Sequence, residues 1–307
     1  MKLTHFAKYG GTRTGDMVNF TAMTKTAFLA ILALQICLDR RGFSPNAMDG
    51  QVGAKTRTAL AAYCASKGLQ PPPAIDESTF GKYFPGEPPL FTTVEVTAED
   101  IAALVKIPDN PAKKAALPKM GYESLQEMFA ERGHVTQHTL ARLNPNIAWT
   151  NATVGTKIRI PETTPEAIDG KAALVKVSLS KFTVTAFDAA QKPLAVFPCS
   201  IAKDKAKRPP PGEIKIVTQI PSPNYTYTPD FTPKGKRPAR HIFPPGPNNP
   251  VGTVWLGLSI PGYGIHGTPV PERIGRAESH GCFRLANWNA ERLYELVKPG
   301  TRVIVEP

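Results

Sequence analysis

The spacing of apolar residues predicts helices in the first part of the chain. An apolar run with intervals of three or four residues covers 27–38, and a second run of the same kind opens at Gly53. A short third run covers 76–83. Residues 1–22 show no such period. The pattern therefore predicts a small helical unit within 1–85, preceded by an N-terminal arm.

A different pattern follows a proline-rich stretch. Leu125, Met128 and Phe129 share one face of a predicted helix, and a second helix follows before the Asn-Pro-Asn turn at 144–146. Apolar and polar residues then alternate around 158–160, as in a strand with one buried face. This part of the chain thus predicts two helices followed by a strand.

From about residue 171 onward the chain is typical of a β-rich domain. Short alternating, β-branched segments occur at 174–179, 182–187, 194–197, 213–217 and 302–305. The proline- and lysine-rich stretch 221–250 predicts a long loop, which is either a lid over a site or a solvated flap. An apolar face between Ala290 and Val297 predicts one helix, with Asn287 or Asn289 as its cap.

Composition limits the class of protein and its partners. A chain of 307 residues predicts two or three domains, and a net charge of +12 favours an anionic partner. No basic stripe interleaved with aromatic residues and no zinc-ligand spacing occurs, so we expect neither nucleic acid nor a metal. No apolar run reaches the length of a membrane-spanning helix. Gln35 interrupts the run at 27–38, which therefore does not fit a signal peptide.

The candidate chemistry lies around one cysteine. Cys282 follows Gly281, with His280 just before them and His266 upstream at the end of a predicted strand. A thiol with an ordinary pKa of about 8.5 is mostly protonated near pH 7, so a reactive cysteine needs a base. His266 can face the cysteine across a groove, and the accessible carbonyl of Gly267 can orient its imidazole. The spacing alone leaves His280 open as the base.

The residues next to the cysteine predict supporting roles. Gly281 permits close approach of a substrate, so the backbone N–H groups of 280–282 are candidate oxyanion donors. We expect Ser279 and Arg284 to shape the loop, and Arg284 has the alternative role of binding a substrate carboxylate. Cys199 lies in a strand segment without a histidine or glycine neighbour, so we expect it to be buried and inert.

This segment resembles the signature of the bacterial L,D-transpeptidases. The resemblance rests on the His-Gly-Thr at 266–268, on Gly275 and on the Ser-His-Gly-Cys-Phe-Arg at 279–284, and it extends over 171–307. It implies a mainly-β, sandwich-like catalytic domain at 171–307 that uses no metal or organic cofactor. It also implies acyl transfer through a cysteine thioester, which cross-links the stem peptides of peptidoglycan.

Two further resemblances concern the N-terminal half. With Leu34-Gln35, Asp49-Gly50, Ala59-Leu60 and Gly68-Leu69 at their spacing, residues 1–85 resemble a small helical peptidoglycan-binding module. Residues 91–162 resemble a LysM module of βααβ order, which binds glycan; its first strand then falls at 93–96, with 97–119 as an insertion. The chain is therefore predicted to be a multidomain α+β protein. In this interpretation its first two modules anchor it to the wall, and the catalytic domain acts independently of them.

The pairing of two cysteines is open at this point. Cys37 and Cys64 fall on the first two predicted helices, where either a disulfide or two buried thiols would fit. A bridge would stabilise the fold by roughly 3.5 kcal/mol and imply an oxidising compartment.

Two alternative functions also stay open. Water in place of an amine acceptor would make the protein an L,D-carboxypeptidase that trims D-alanine from tetrapeptide stems. A vestigial site would make it a non-catalytic wall-binding scaffold, although the pair of His266 and Cys282 argues against that. We expect a monomer in the periplasm or cell envelope with a role in cell-wall biogenesis and cell shape, and no export signal is evident in this chain.

Overall fold

The N-terminal region is helical where the apolar spacing predicts it. The computed structural model describes residues 24–229 and 240–307, so the predicted arm at 1–22 lies outside the described residues. The first three helices are α1 (Lys25–Arg40), α2 (Ala54–Lys67) and α3 (Glu77–Tyr83). Thr24 caps α1 by accepting the N–H of Ala27 at 3.1 Å, and Gly68 ends α2 in the left-handed conformation.

Gln35 is a buried connection between the first two helices. Its Nε2 donates to the Asp49 carboxylate at 2.9 Å and to Thr56 Oγ1 at 3.0 Å, while its Oε1 accepts the N–H of Gly50 at 2.8 Å. The one polar residue that interrupts the apolar run therefore has full hydrogen bonding inside the fold. Cys37 and Cys64 are both buried free thiols, so of the two alternatives the structure has the unbridged one.

The next helices lie, in sequence, between the two strands of a small sheet. The elements are β1 (Phe91–Glu95), α4 (Ala98–Ala102), α5 (Pro111–Ala115), α6 (Leu125–Arg132), α7 (Gln137–Leu143) and β2 (Lys157–Pro161). β1 pairs antiparallel with β2, with Thr93 opposite Arg159. The strand near 93–96 and the strand near 158–160 are thus partners, and α4 and α5 lie within the stretch 97–119.

The described residues after 161 form one large sheet, two small sheets and one α-helix. The strands are β3 (Leu174–Ser178), β4 (Thr183–Phe187), β5 (Pro193–Pro198), β6 (Ile201–Ala202), β7 (Gly212–Pro221), β8 (Tyr225–Tyr227), β9 (His241–Phe243), β10 (Val254–Leu258), β11 (Gly264–His266), β12 (Ala277–Ser279), β13 (Phe283–Arg284) and β14 (Arg302–Glu306). The helix is α8 (Asn287–Leu296). Eight strands join in the order β13-β11-β10-β7-β14-β3-β4-β5, while β6 pairs with β12 and β8 with β9.

The eight-stranded sheet is curled so that its two ends meet. Ser200, just after β5 at one end, exchanges two backbone hydrogen bonds of 2.9 and 3.0 Å with Arg284 of β13 at the other end. One apolar core accordingly contains residues from both ends, such as Phe197 and Phe283. The predicted α+β class with a mainly-β, sandwich-like C-terminal region is confirmed, and curling of a single sheet creates its layers.

The predicted cap of the C-terminal helix is wrong. Helix α8 begins at Asn287 itself, its N-cap position is Ala286, and no side chain caps it. Asn287 and Asn289 are both buried, at 1% and 2% exposure. Asparagine next to an apolar helical run is typical of caps, but the side chain of Asn287 instead forms hydrogen bonds with distant segments of the chain.

The N-terminal helices pack directly against the large sheet. The backbone of Val196 in β5 donates to the Gly42 carbonyl and accepts the N–H of Ser44, both at 2.9 Å. The side chain of Phe43 is buried in the same apolar cluster as Val196. Residues 42–44 thus cover the edge strand of the sheet, which would otherwise expose unpaired backbone groups.

A second backbone contact joins the 97–124 stretch to the loop before β10. The N–H of Met120 donates to the Pro245 carbonyl at 2.9 Å, and its own carbonyl accepts the N–H of Asn248 at 3.0 Å. Gly246 lies between these partners with a φ of +145°, and a Cβ there would be 2.2 Å from the Met120 carbonyl oxygen. Only glycine allows this approach. Within 24–229 and 240–307 no helix has the length and apolar character to span a membrane.

These contacts lead to a prediction about the stability of a shortened chain. We expect a chain that begins at residue 165 to be less stable than the full chain by roughly 3–5 kcal/mol, because it loses edge hydrogen bonds and buried apolar surface together. Urea unfolding of both proteins measures this difference. Full-length Phe43→Ala should show a smaller loss of the same sign, and Leu69→Ala, at an exposed position, should show almost none. Equal midpoints for the full and shortened chains would mean that the N-terminal helices do not support the sheet.

Candidate active site

A tight turn presents Cys282 between two strands. The turn lies after β12 and before β13, and Ser279 closes it: its hydroxyl donates to the Cys282 carbonyl at 2.6 Å and accepts the N–H of Gly281 at 3.3 Å. Ser279 is buried, so water does not compete for these bonds. The Cys282 thiol is partly exposed and donates to the carbonyl of Gly262 at 3.6 Å.

His266 lies at the end of β11 with its ring orientation fixed. Its Nδ1 is 2.6 Å from the carbonyl oxygen of Gly267. A carbonyl oxygen only accepts hydrogen bonds, so Nδ1 carries the proton and Nε2 of the neutral ring carries a lone pair. The indole of Trp255, opposite His266 on β10, stacks on the imidazole with ring centroids 5.6 Å apart. The residue is therefore held in the tautomer that a proton acceptor needs.

Burial sets the protonation of both groups. Loss of solvent lowers the pKa of His266 to about 4, although the bond to Gly267 opposes this shift and the charge of Arg284 adds to it. Burial also raises the pKa of the Cys282 thiol, against the effects of the Gly264 backbone and of Arg284. At pH 7 the site therefore holds a neutral imidazole and a protonated thiol, which is the starting state for base-assisted attack.

The predicted site residues meet at one cavity. His266, Ser279, His280, Gly281, Cys282 and Arg284 all line a cavity of about 480 Å³. Gly267 does not line this cavity and instead accepts the hydrogen bond of His266 Nδ1. His280 is exposed at the rim, while His266 is 4% exposed. The structure thus distinguishes the preferred base, His266, from His280, which sequence spacing alone left open.

A second, larger cavity of about 600 Å³ adjoins the first. Pro250, His280 and Arg284 line both cavities. Its far wall comes from the N-terminal region and includes Lys114 and Met120. The two cavities are therefore neighbours at the rim of the cysteine turn, and Arg284 lines both.

Sequence reasoning did not assign the aromatic residues of the cavity, Tyr225, Trp255 and Tyr263, to the site. Trp255 stacks on His266, and Tyr225, from the stretch predicted as a lid or flap, lines the cysteine cavity. Trp255 sits in an apolar strand run, where an aromatic residue looks like ordinary core. Tyr225 belongs to the hairpin of β8 and β9, so part of that stretch is a wall of the site.

The chain is similar in sequence to known proteins. Residues 172–305 match the family described as YkuD, L,D-transpeptidase catalytic domain. A Bacillus licheniformis protein assigned to the L,D-transpeptidases, YkuD, is 30% identical over 186 residues, which are 60% of this chain and 94% of that protein. A Fuscovulum blasticum protein with the same assignment is 40% identical over 112 residues, which are 36% of this chain and 57% of its own length.

Solved structures give a looser match. That of L,D-transpeptidase 3 from Mycobacterium tuberculosis aligns with 56% of this chain and 85% of its own, at 18% identity and a TM-score of 0.36.

Proposed function

The chain belongs to the YkuD family of L,D-transpeptidases, and on that premise we propose that Cys282 is its nucleophile and His266 its general base. The family is one of cysteine-dependent acyltransferases that act on peptidoglycan, so the predicted enzyme class and function are confirmed. The observation that carries the residue roles is that a base with a fixed tautomer and a protonated thiol line one cavity. A neutral base and a protonated thiol on the walls of one cavity are the pair that base-assisted attack requires.

The proposed acylation moves one proton and exchanges one bond. Cys282 Sγ attacks the carbonyl carbon between the diamino acid and the terminal D-alanine of a tetrapeptide stem, as its proton passes to His266 Nε2. The resulting tetrahedral intermediate collapses with cleavage of the C–N bond, and His266 returns the proton to the leaving amine. The products are a thioester on Cys282 and free D-alanine.

Backbone N–H groups of the turn stabilise the oxyanion in this proposal. Gly281 already donates its N–H to Ser279 within the turn, so the donors of choice are the N–H groups of His280 and Cys282. One such donor is typically worth about 3 kcal/mol in the transition state. Arg284, beside both cavities, supplies the positive charge for a stem carboxylate. Ser279 keeps the turn in shape.

Transfer to a second stem completes the reaction. The side-chain amine of that stem attacks the thioester, His266 takes the proton released from the amine, and the Cys282 thiol is restored. The adjoining 600 Å³ cavity supports transfer over hydrolysis, because it offers a second peptide an approach around Arg284. Hydrolysis needs no such space, and it is the alternative in which water attacks the thioester.

A single incubation distinguishes transfer from hydrolysis. Purified wall fragments that carry tetrapeptide stems are incubated with the protein and with Cys282→Ala, and the products are identified by mass. We expect cross-linked dimers and released D-alanine with the native chain only. Trimmed tripeptide monomers without dimers would establish the carboxypeptidase alternative, and unchanged substrate would contradict the proposal.

The N-terminal region is proposed to hold the enzyme on the wall. The helices within 1–85 and the paired strands β1 and β2 within 91–162 agree with the order of elements expected for a helical peptidoglycan-binding module and a LysM-like module. The charge of +12 favours an anionic polymer as partner. On this basis we also propose a periplasmic monomer that contributes to cell shape through its cross-links.

A further inference from the structure

Asn287 occupies the junction between the N-terminal region and the catalytic histidine. Its side chain is 1% exposed and makes four hydrogen bonds. Oδ1 accepts the N–H of Thr268 at 3.0 Å and that of Thr253 at 3.3 Å. Nδ2 donates to Glu131 Oε1 at 2.8 Å and to the Pro247 carbonyl at 3.1 Å. N–H donors on one side and oxygen acceptors on the other fix the orientation of the amide.

The bond to Thr268 acts directly on the catalytic histidine. The Thr268 N–H and the Gly267 C=O belong to one planar peptide unit, so the direction of one fixes the direction of the other. That same carbonyl accepts the Nδ1–H of His266 at 2.6 Å. Asn287 therefore fixes the 267–268 peptide through its N–H, and the C=O of the same peptide fixes the imidazole of His266.

Two glycines make room for this arrangement. A Cβ on Gly252 would lie 2.0 Å from Asn287 Oδ1, and a Cβ on Gly267 would lie 2.2 Å from it. Any other residue at either position would push the amide away from the peptide plane. Gly267 therefore has a second role beyond its accessible carbonyl.

Glu131 attaches this junction to the N-terminal region. It lies on helix α6, and its pKa is raised to about 7 by burial, opposed by the hydrogen bond from Asn287. Its charged neighbours Glu291 and Glu127 raise its pKa further, and Tyr122 donates a hydrogen bond to it. The Asn287 amide is thus its bond to the catalytic domain.

We propose that Asn287 and Glu131 are positioning residues for His266: together they fix the 267–268 peptide plane whose carbonyl holds the imidazole in its Nδ1–H tautomer. This inference rests on the proposed role of His266 only for its effect on rate. The consequence is that a residue outside the catalytic domain, Glu131, contributes to the protonation geometry of the active site.

The test uses full-length protein and three readouts. ¹⁵N chemical shifts of the His266 ring report its tautomer, the alkylation rate of Cys282 by iodoacetamide reports base assistance, and thermal unfolding reports stability. We expect Asn287→Ala to admit the Nε2–H tautomer and to slow alkylation about tenfold to a hundredfold, because a misplaced base costs that much. Asn289→Ala is the matched control: it removes a buried amide of the same helix whose Nδ2 has no partner among the described residues.

A rescue pair keeps the test decisive if Asn287→Ala does not fold. Asn287→Asp keeps an acceptor oxygen for the N–H groups of Thr268 and Thr253 but replaces the donor NH₂ with a second oxygen that faces Glu131, and it should slow alkylation. Glu131→Gln alone keeps an acceptor for Asn287 and should resemble the native protein. The combination of Asn287→Asp with Glu131→Gln restores one N–H···O bond between the two positions, so most of the rate should return.

The outcomes separate the two ideas. If Asn287→Ala and Asn289→Ala lower the melting temperature alike while the His266 tautomer stays unchanged, or if the double variant is no better than Asn287→Asp, the positioning role is wrong. If the tautomer changes but the alkylation rate does not, the positioning role stands and the assignment of His266 as base is wrong.

Discussion

Replacement of Cys282 by alanine is expected to abolish acyl-enzyme formation on tetrapeptide donors, a loss on the order of 10⁵-fold or more. No other described cysteine can substitute for it. Cys37, Cys64 and Cys199 are buried, and burial raises the pKa of each thiol. The intact mass of the protein after incubation with donor measures the adduct directly: native protein gains the acyl mass and the variant does not.

Cys199→Ala is the matched control. Cys199 is fully buried in the core of the curled sheet and does not line the cysteine cavity. We expect this variant to form the adduct at close to the native rate, with some loss of stability from the small void. A Cys199→Ala protein that is folded but inactive, with an active Cys282→Ala protein, would reverse the assignment of the nucleophile.

Replacement of His266 by alanine is expected to slow acylation by several orders of magnitude, because the base and the acid for the leaving amine are lost together. The pH dependence should change in a characteristic way. Burial lowers the pKa of His266 to about 4, so the native rate should fall only below about pH 5, as the imidazole becomes protonated. Burial raises the pKa of the Cys282 thiol, so the remaining rate of the variant should instead rise with pH as thiolate forms.

His280→Ala provides the comparison. His280 is exposed at the rim of the cavity, next to the turn that Ser279 closes. We expect a modest loss of rate and an unchanged acidic limb. Persistence of that limb in the His266 variant, or its loss in the His280 variant, would contradict the assignment of the base.

Local patterns in the sequence predict most of the fold and the residues that line the site. Helices α1 to α3, strand β2 and most strands of the large sheet follow from periods of 3.6 and 2, whereas β1 is expected from the resemblance to a LysM module. The cavity residues 279–284 and His266 are contiguous or belong to a short motif. Their chemistry therefore shows in the sequence without knowledge of long-range contacts.

Contacts between distant segments have no local signal, and these are where sequence reasoning failed. Asn287 resembles a helix cap, but it bonds to segments at 131, 247, 253 and 268. The cover of the sheet edge by residues 42–44 is a second contact of this kind. Its pairing with Val196 depends on which strand ends at the edge of the sheet, and no local pattern shows that. Independent catalysis by a chain that begins at residue 165 stays a prediction.

The backbone hydrogen bonds of Met120 with Pro245 and Asn248 limit which segments of this chain can be replaced by those of a related protein. Domains that contact each other only through side chains can be exchanged between proteins, since a new neighbouring domain needs only a compatible surface. Here the main chain at Met120, from the N-terminal half, packs against Gly246 of the C-terminal half, and a Cβ at Gly246 would collide with the Met120 carbonyl. Recombination that exchanges the N-terminal half must therefore carry the loop at 245–248 with it. In a chimera joined at the linker alone, the segment at Met120 and the loop at 245–248 would come from different proteins and would not fit each other.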